Sequence, residues 1–164
     1  DFNELEIRHS EAGDIGKTLV KAGMKMAGLV PSTMGTLMSS GVMEGGKALK
    51  GKSEFGAEEL SVYLTAFAAG IQKRGKCSLG DRTILDSVDA GAKKAAEAAA
   101  SGGTMEDVID AACEGAAQGV EATKSMLPKF GKAAVFASKA AGVPDQGAVA
   151  GMYMIQGVKR GICG

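Results

Sequence analysis

From Asp14 onward one arrangement recurs along the chain: apolar side chains at helical spacing, ended by glycine or proline. A period of 3.6 builds helices, whereas strands need alternation at a period of two. The stretch AEELSVYLTAFAAGIQKRG (57–75) shows it most cleanly, with Leu60, Leu64, Phe67 and Ile71 in one stripe. Glu58 and Glu59 fall in its first turn and Lys73 and Arg74 in its last, as the helix dipole prefers, and Gly75 closes it. Upstream, Asp14 is placed to cap IGKTLVKAGMKMAGLV (15–30), with Ile15, Leu19, Met26 and Val30 along one face and Pro31 as the stop. PSTMG (31–35) reads as a loop and TLMSSGVMEGGKALKG (36–51) as a second helix.

After the turn at Gly80 and Asp81, a further helix carries Ile84, Leu85, Val88, Ala92, Ala95 and Ala99 on one side until SGG at 101–103. Asp81 is read as ordering that turn and capping the helix. Thr104 and Asp107 have capping-box spacing ahead of the next helix. KFGKAAVFASKAAG (129–142) reads as a loop and a short helix, VPDQG (143–147) as a turn, and AVAGMYMIQGVKRG (148–161) as the last helix. No segment of four to eight residues alternates as a strand does. The expected fold is all-α: an up-down antiparallel helical barrel or bundle, one domain over residues 1–164.

The faces of these helices are small. The chain holds 25 glycines and no tryptophan, and aromatics are 4%. A glycine inside a helix costs about 0.5–1 kcal/mol relative to alanine. Several in the second helix therefore imply close approach by a neighbour or a ligand.

Charge and cysteine usage exclude several functions. Nineteen basic residues balance 19 acidic ones, whereas a nucleic-acid face carries a basic excess. No apolar run is long enough to cross a bilayer, and residues 1–16, charged and polar, do not read as a signal peptide. Cys77, Cys113 and Cys163 form no CxxC pair, so a zinc site and a disulfide framework are not expected. The expected location is the cytoplasm. His9 is the single histidine, and it reads as a solvated residue ahead of the first helix rather than a catalytic base.

Three segments combine glycine with hydroxyl, amide or carboxylate groups ahead of a helix: PSTMG (31–35), GKCSLGDRTI (75–84) and VPDQGAV (143–149). Helix N-termini suit anions, and loops at one end of an antiparallel bundle converge. The same residue types also serve as ordinary caps. None of the three is a GxxxxGK[ST] phosphate loop, and GKALKGKS (46–53) has the wrong glycine spacing for one.

In order, however, these stretches resemble a known family, the nucleotide-binding L subunit of dihydroxyacetone kinase, found also as the C-terminal domain of the ATP-dependent enzyme. GDRTILDSVDAG (80–91) is similar to its GD[RK]TMxD motif. GDIGKTLVKAGMKMAGLVPSTMG (13–35) lines up without gaps against DIGxxLxxxGxxLxxxxGGxSG. ATKSMLPKFGKAAVFASKAAGVPDQGAVAGMYM (122–154) is similar to ATxxMxxxxGRAxYLGERxxGxxDPGAxxxxxxx. The likeness covers about residues 13–164. It implies a helical barrel that holds ADP or ATP with magnesium at one end. Carried over by position, Ser32, Thr33, Met34 and Gly35 would hold phosphates. Gly75, Thr83 and Ile84 would flank adenine and ribose. Asp145, Gln146 and Gly147 would close the pocket, and Gly131 falls at the glycine of the GRAxYLGER stretch. The implied partners are a subunit holding dihydroxyacetone, a phosphotransferase-system phosphodonor subunit, and a second copy of the chain.

The departures bear on chemistry. The family's magnesium loop, GDxDHG, falls upstream of residue 1, so no metal ligand is assigned here, and Asp14 reads as a cap. Pro31 stands for a glycine, Met34 for a serine, PDQGA for QDPGA, and GKAAVFASK for GRAxYLGER. Two readings stay open: a kinase subunit acting by phosphoryl transfer to a small hydroxy-ketone, and a helical interaction module that has lost the chemistry.

Overall fold

The computed structural model describes residues 13–130 and 141–164. Among them, six α-helices succeed one another: α1 (Ile15–Leu29), α2 (Thr33–Ala48), α3 (Ala57–Gly75), α4 (Ile84–Ala100), α5 (Met105–Ala122) and α6 (Gln146–Cys163). A 3₁₀ turn, Thr123–Ser125, comes after α5, and no strand occurs among the described residues. No described helix is long and apolar enough to cross a membrane.

Local chemistry sets most of these boundaries. The Asp14 carboxylate accepts the Lys17 N–H at 3.0 Å and the Gly51 N–H at 3.0 Å. It thus caps α1, as expected, and ties it to the end of α2. Thr104 and Asp107 form the expected capping box. Several boundaries differ from the sequence reading, among them the starts of α2 and α6 and the end of α3; α6 begins at Gln146, within the stretch read as a turn. Ser32 caps α2, so Thr33, Met34 and Gly35 are its first turn rather than a loop. The left-handed residue after α3 is Lys76, with φ 50°, not Gly75, which remains helical.

Successive helices pack side by side and antiparallel, and glycine explains how. A Cβ on Gly16 would lie 2.5 Å from the Gly46 carbonyl oxygen, placing the start of α1 on the end of α2. Gly41 and Gly45 of α2 lie against the rings of Phe67 and Tyr63 of α3. Gly115 and Gly119 of α5 lie on the backbone of α4 at Ala90 and Asp86. α6 packs against both α4 and α5, its Gly147 and Gly151 beside Ile84 at the start of α4.

The core lies along α3, α4 and α5, where Leu60, Leu64, Phe67 and Ile71 face Ile84, Leu85, Val88, Val108 and Ile109. The stripe read on α3 is fully inside. The stripe read on α1 is not. Its buried positions are Gly16 and Gly23, while Val30 lies beyond the helix and is exposed. α1 meets α2 through its glycines, and of its stripe Ile15 and Leu19 are half-buried against the core.

Candidate nucleotide site

The up-down course brings the N-termini of α2, α4 and α6 to one end of the molecule, beside the C-termini of α3 and α5. Gly147, in the first turn of α6, shows the closeness: a Cβ there would lie 3.2 Å from the Ile84 nitrogen and 3.4 Å from the Met34 Cε. Each N-terminus offers N–H groups and a partial positive charge to an anion.

Each is also organised by its own side chains. Ser32 Oγ accepts the Gly35 N–H at 2.9 Å. Gly35 is buried where a Cβ would collide with the Val30 carbonyl oxygen, so glycine is required for the chain to turn from α1 into α2. The cap of α4 is Thr83, not Asp81. Asp86 reaches back from the third position of α4, accepting the Thr83 N–H at 2.7 Å and the Gly80 N–H at 2.6 Å. Between them Arg82 stands at φ 61°, in the left-handed region, which costs a non-glycine residue about 1–2 kcal/mol. Its buried guanidinium donates to the Val143 carbonyl at 2.7 Å, joining the α4 turn to the chain entering α6. Asp81 orders the turn from the other side by accepting the Ser78 N–H at 2.8 Å, and it pairs with Lys129. The Lys129 ammonium, then the Ser78 N–H, hold its carboxyl below the usual carboxylate range. The α6 terminus is capped by Asp145, which accepts the Ala148 N–H at 2.9 Å. The Asp145 N–H in turn donates to the buried Thr123 hydroxyl at 2.9 Å, fixing α6 to the end of α5.

A cavity of about 730 Å³ opens at this end. Ser32, Thr33, Gly75, Thr83 and Ile84, all singled out from the sequence, line it. Met34, Gly35, Asp145, Gln146 and Gly147 do not. Gly35 and Asp145 shape the helix starts, Gly147 underlies the α4 terminus, and Gln146 is exposed. Gly131 and His9 lie outside the described residues.

The structure adds Ala27, Leu37, Cys77 and Phe130 as an apolar wall, with Thr36 and Arg74. Among the described residues, Arg74 is the one charged residue in the lining. The helical pattern assigns it only to the last turn of α3, which hides its place at the cavity. Burial pushes the Cys77 thiol up, with a hydrogen bond to Thr83 acting the other way, so it is a neutral wall and not a thiolate nucleophile.

The volume is that of a small-molecule site, and an apolar wall facing hydroxyls, N–H groups and one cation suits a molecule with a flat apolar part and an anionic part. Among the described residues, no carboxylate lines the cavity. Among the described residues, no three His, Cys, Asp or Glu side chains gather as a metal cage.

The chain matches the DAK2 domain over residues 3–160. Over 74 residues it is 39% identical to the PEP-dependent dihydroxyacetone kinase 2, ADP-binding subunit DhaL, of Listeria innocua serovar 6a. That stretch is 45% of this chain and 34% of the relative, so the match spans about a third of the relative's length. With a match along nearly its whole length, the chain belongs to the DAK2 domain family.

Proposed function

We propose that this chain is an ADP- or ATP-binding subunit of a dihydroxyacetone kinase-type system. The observation that carries the reading is the cavity joining Ser32 and Thr33 of α2 to Thr83 and Ile84 of α4, with Arg74 as its cation. The apolar wall of Leu37, Cys77, Ile84 and Phe130 takes the base, and the hydroxyls and first-turn N–H groups at Ser32 and Thr33 take the phosphates. The match to an ADP-binding subunit supports the same ligand. When bound, magnesium would neutralise phosphate charge, and the residues described here hold the nucleotide beside it. The acceptor is a small hydroxy-ketone held on a partner subunit, and the free thiols suit the reducing cytoplasm.

Thermal unfolding with and without ADP tests the binding. A ligand at a hundred times its Kd stabilises by about 2.7 kcal/mol, so the midpoint rises with ADP concentration. A midpoint unmoved by millimolar ADP sinks the reading. Assay of ATP-dependent dihydroxyacetone phosphorylation with the partner subunit tests the reaction. Binding without turnover assigns the chain to the non-catalytic alternative.

A further inference from the structure

The residues after α5 hold an arrangement that the nucleotide reading does not use. Residues 126–130 form no helix or strand, yet the two ends of this segment are placed differently. Leu127 projects into solvent, 75% exposed, whereas Phe130 lines the cavity while 48% exposed. The link between them is Lys129. Its ammonium meets one carboxylate oxygen of Asp81, whose other oxygen accepts the Ser78 N–H. Its backbone N–H also donates to the Asp81 carbonyl at 3.3 Å. Asp81 is only 4% exposed and belongs to the turn that carries Thr83 and Ile84. Pro128, buried and fixed in φ, sets the direction of the chain into this double contact.

We infer that Lys129 and Asp81 form a clasp that seats Phe130 as the closing wall of the cavity, making Lys129 a positioning residue for the nucleotide. The inference rests on the nucleotide reading, and it adds a residue that touches no ligand. A segment without helix or strand opens at lower free-energy cost than the helices around it, so the Lys129 contacts bear on the place of Phe130. A flat aromatic, half uncovered at a cavity mouth, gains by stacking on a nucleobase, because every base has a π-face. With the clasp closed, the ordering of that ring precedes binding. With it open, binding must order the ring, a loss of about threefold to tenfold in affinity. The clasp and the nucleoside-facing residues share one turn, so ligand and segment report on each other.

The chain has no tryptophan, which makes Phe130→Trp a single fluorescent reporter. In the ligand-free protein, adding Lys129→Ala to the reporter is expected to increase acrylamide quenching, while Lys129→Arg leaves it low. In titrations of the otherwise wild-type chain with ADP, Lys129→Ala is expected to weaken binding about threefold to tenfold, and Lys129→Arg to stay within twofold. Unchanged quenching in the Lys129→Ala reporter, or wild-type ADP affinity in Lys129→Ala, overturns the clasp while leaving nucleotide binding intact. Absence of ADP binding by the wild-type chain instead overturns the nucleotide reading and the coupling built on it. The ligand-free quenching then still decides whether Lys129 seats residue 130.

Discussion

Replacing Gly119 with alanine tests how the helix pair behind the site is built. Gly119 lies on α5 where the chain touches the start of α4. An added Cβ would collide with the Asp86 carbonyl oxygen, lie 2.8 Å from Ser87 Cα and 3.1 Å from Ala90 Cβ. Two of those three atoms are backbone, so no side chain can swing away. Restoring ordinary contact requires the helices to part by roughly 0.7 Å or more, since carbon atoms settle at about 3.5–4.0 Å. Overpacking of this kind costs about 1–3 kcal/mol, and the helix gains back about 0.5–1 kcal/mol from losing a glycine. The net expectation is a loss of about 0.5–2 kcal/mol, a fall in Tm of a few degrees for a domain of this size. Gly157→Ala is the matched control, because a Cβ there meets nothing within 4 Å. It is expected to stabilise by about 0.5–1 kcal/mol. Urea titrations followed by circular dichroism measure both. Because Asp86 holds the turn before α4, Gly119→Ala is also expected to weaken ADP binding, whereas Gly157→Ala leaves it unchanged. Equal or raised stability in Gly119→Ala would refute the close-packing account of the glycines.

The remaining predictions concern the turn and its charges. Asp86→Ala removes the acceptor of the Gly80 and Thr83 N–H groups, which is expected to cost about 1–3 kcal/mol in urea unfolding, with Asp86→Asn intermediate. The Lys129 contact at Asp81, the Lys17 N–H at Asp14 and the Thr104 hydroxyl at Asp107 lower those three carboxyls in the folded state. Their contribution is therefore complete above the unfolded carboxylate value and is lost as pH falls through the lowered folded values. The urea midpoint is expected to hold steady down to about pH 5 and to decline below about pH 4, with Asp81→Asn flattening the decline. The Cys77 thiol, raised by burial, is expected to react slowly with a disulfide reagent at pH 7 and faster as pH rises, with ADP protecting it. Labelling that is rapid at pH 7 and indifferent to ADP contradicts its place in the wall.

How much of this was legible in the sequence depended on range. Asp14 and the Thr104–Asp107 box could be read because a cap acts over three residues, and α3 because its stripe meets the core directly. Ser32 was within the same reach, but the glycine at 35 made its helix start look like a loop. At the GDRT turn, two aspartates compete for one role. Spacing alone did not reveal that Asp86 clamps the turn while Asp81 faces Lys129. On α1 the apolar pattern found the helix and the half-buried Ile15 and Leu19 but not the fully buried positions, because a helix that meets its neighbour through glycines buries backbone there. For the candidate site, the ordered motifs pointed to the end of the bundle where the cavity opens. Arg74 and Phe130 escaped notice because they reach the cavity from a helix end and a distant irregular segment. Contacts such as Arg82 with Val143, 61 residues apart, leave no local pattern.

The most direct test of the central claim is calorimetric titration of the whole chain with ADP, with and without magnesium, beside the Arg74→Ala variant. The account predicts saturable one-site binding by the wild-type chain. It also predicts about tenfold weaker binding by the variant, the loss of one charge-assisted contact to phosphate, with its melting temperature unchanged. Absence of binding at millimolar ADP, or identical affinity in the Arg74 variant, would contradict a nucleotide held in this cavity by this cation.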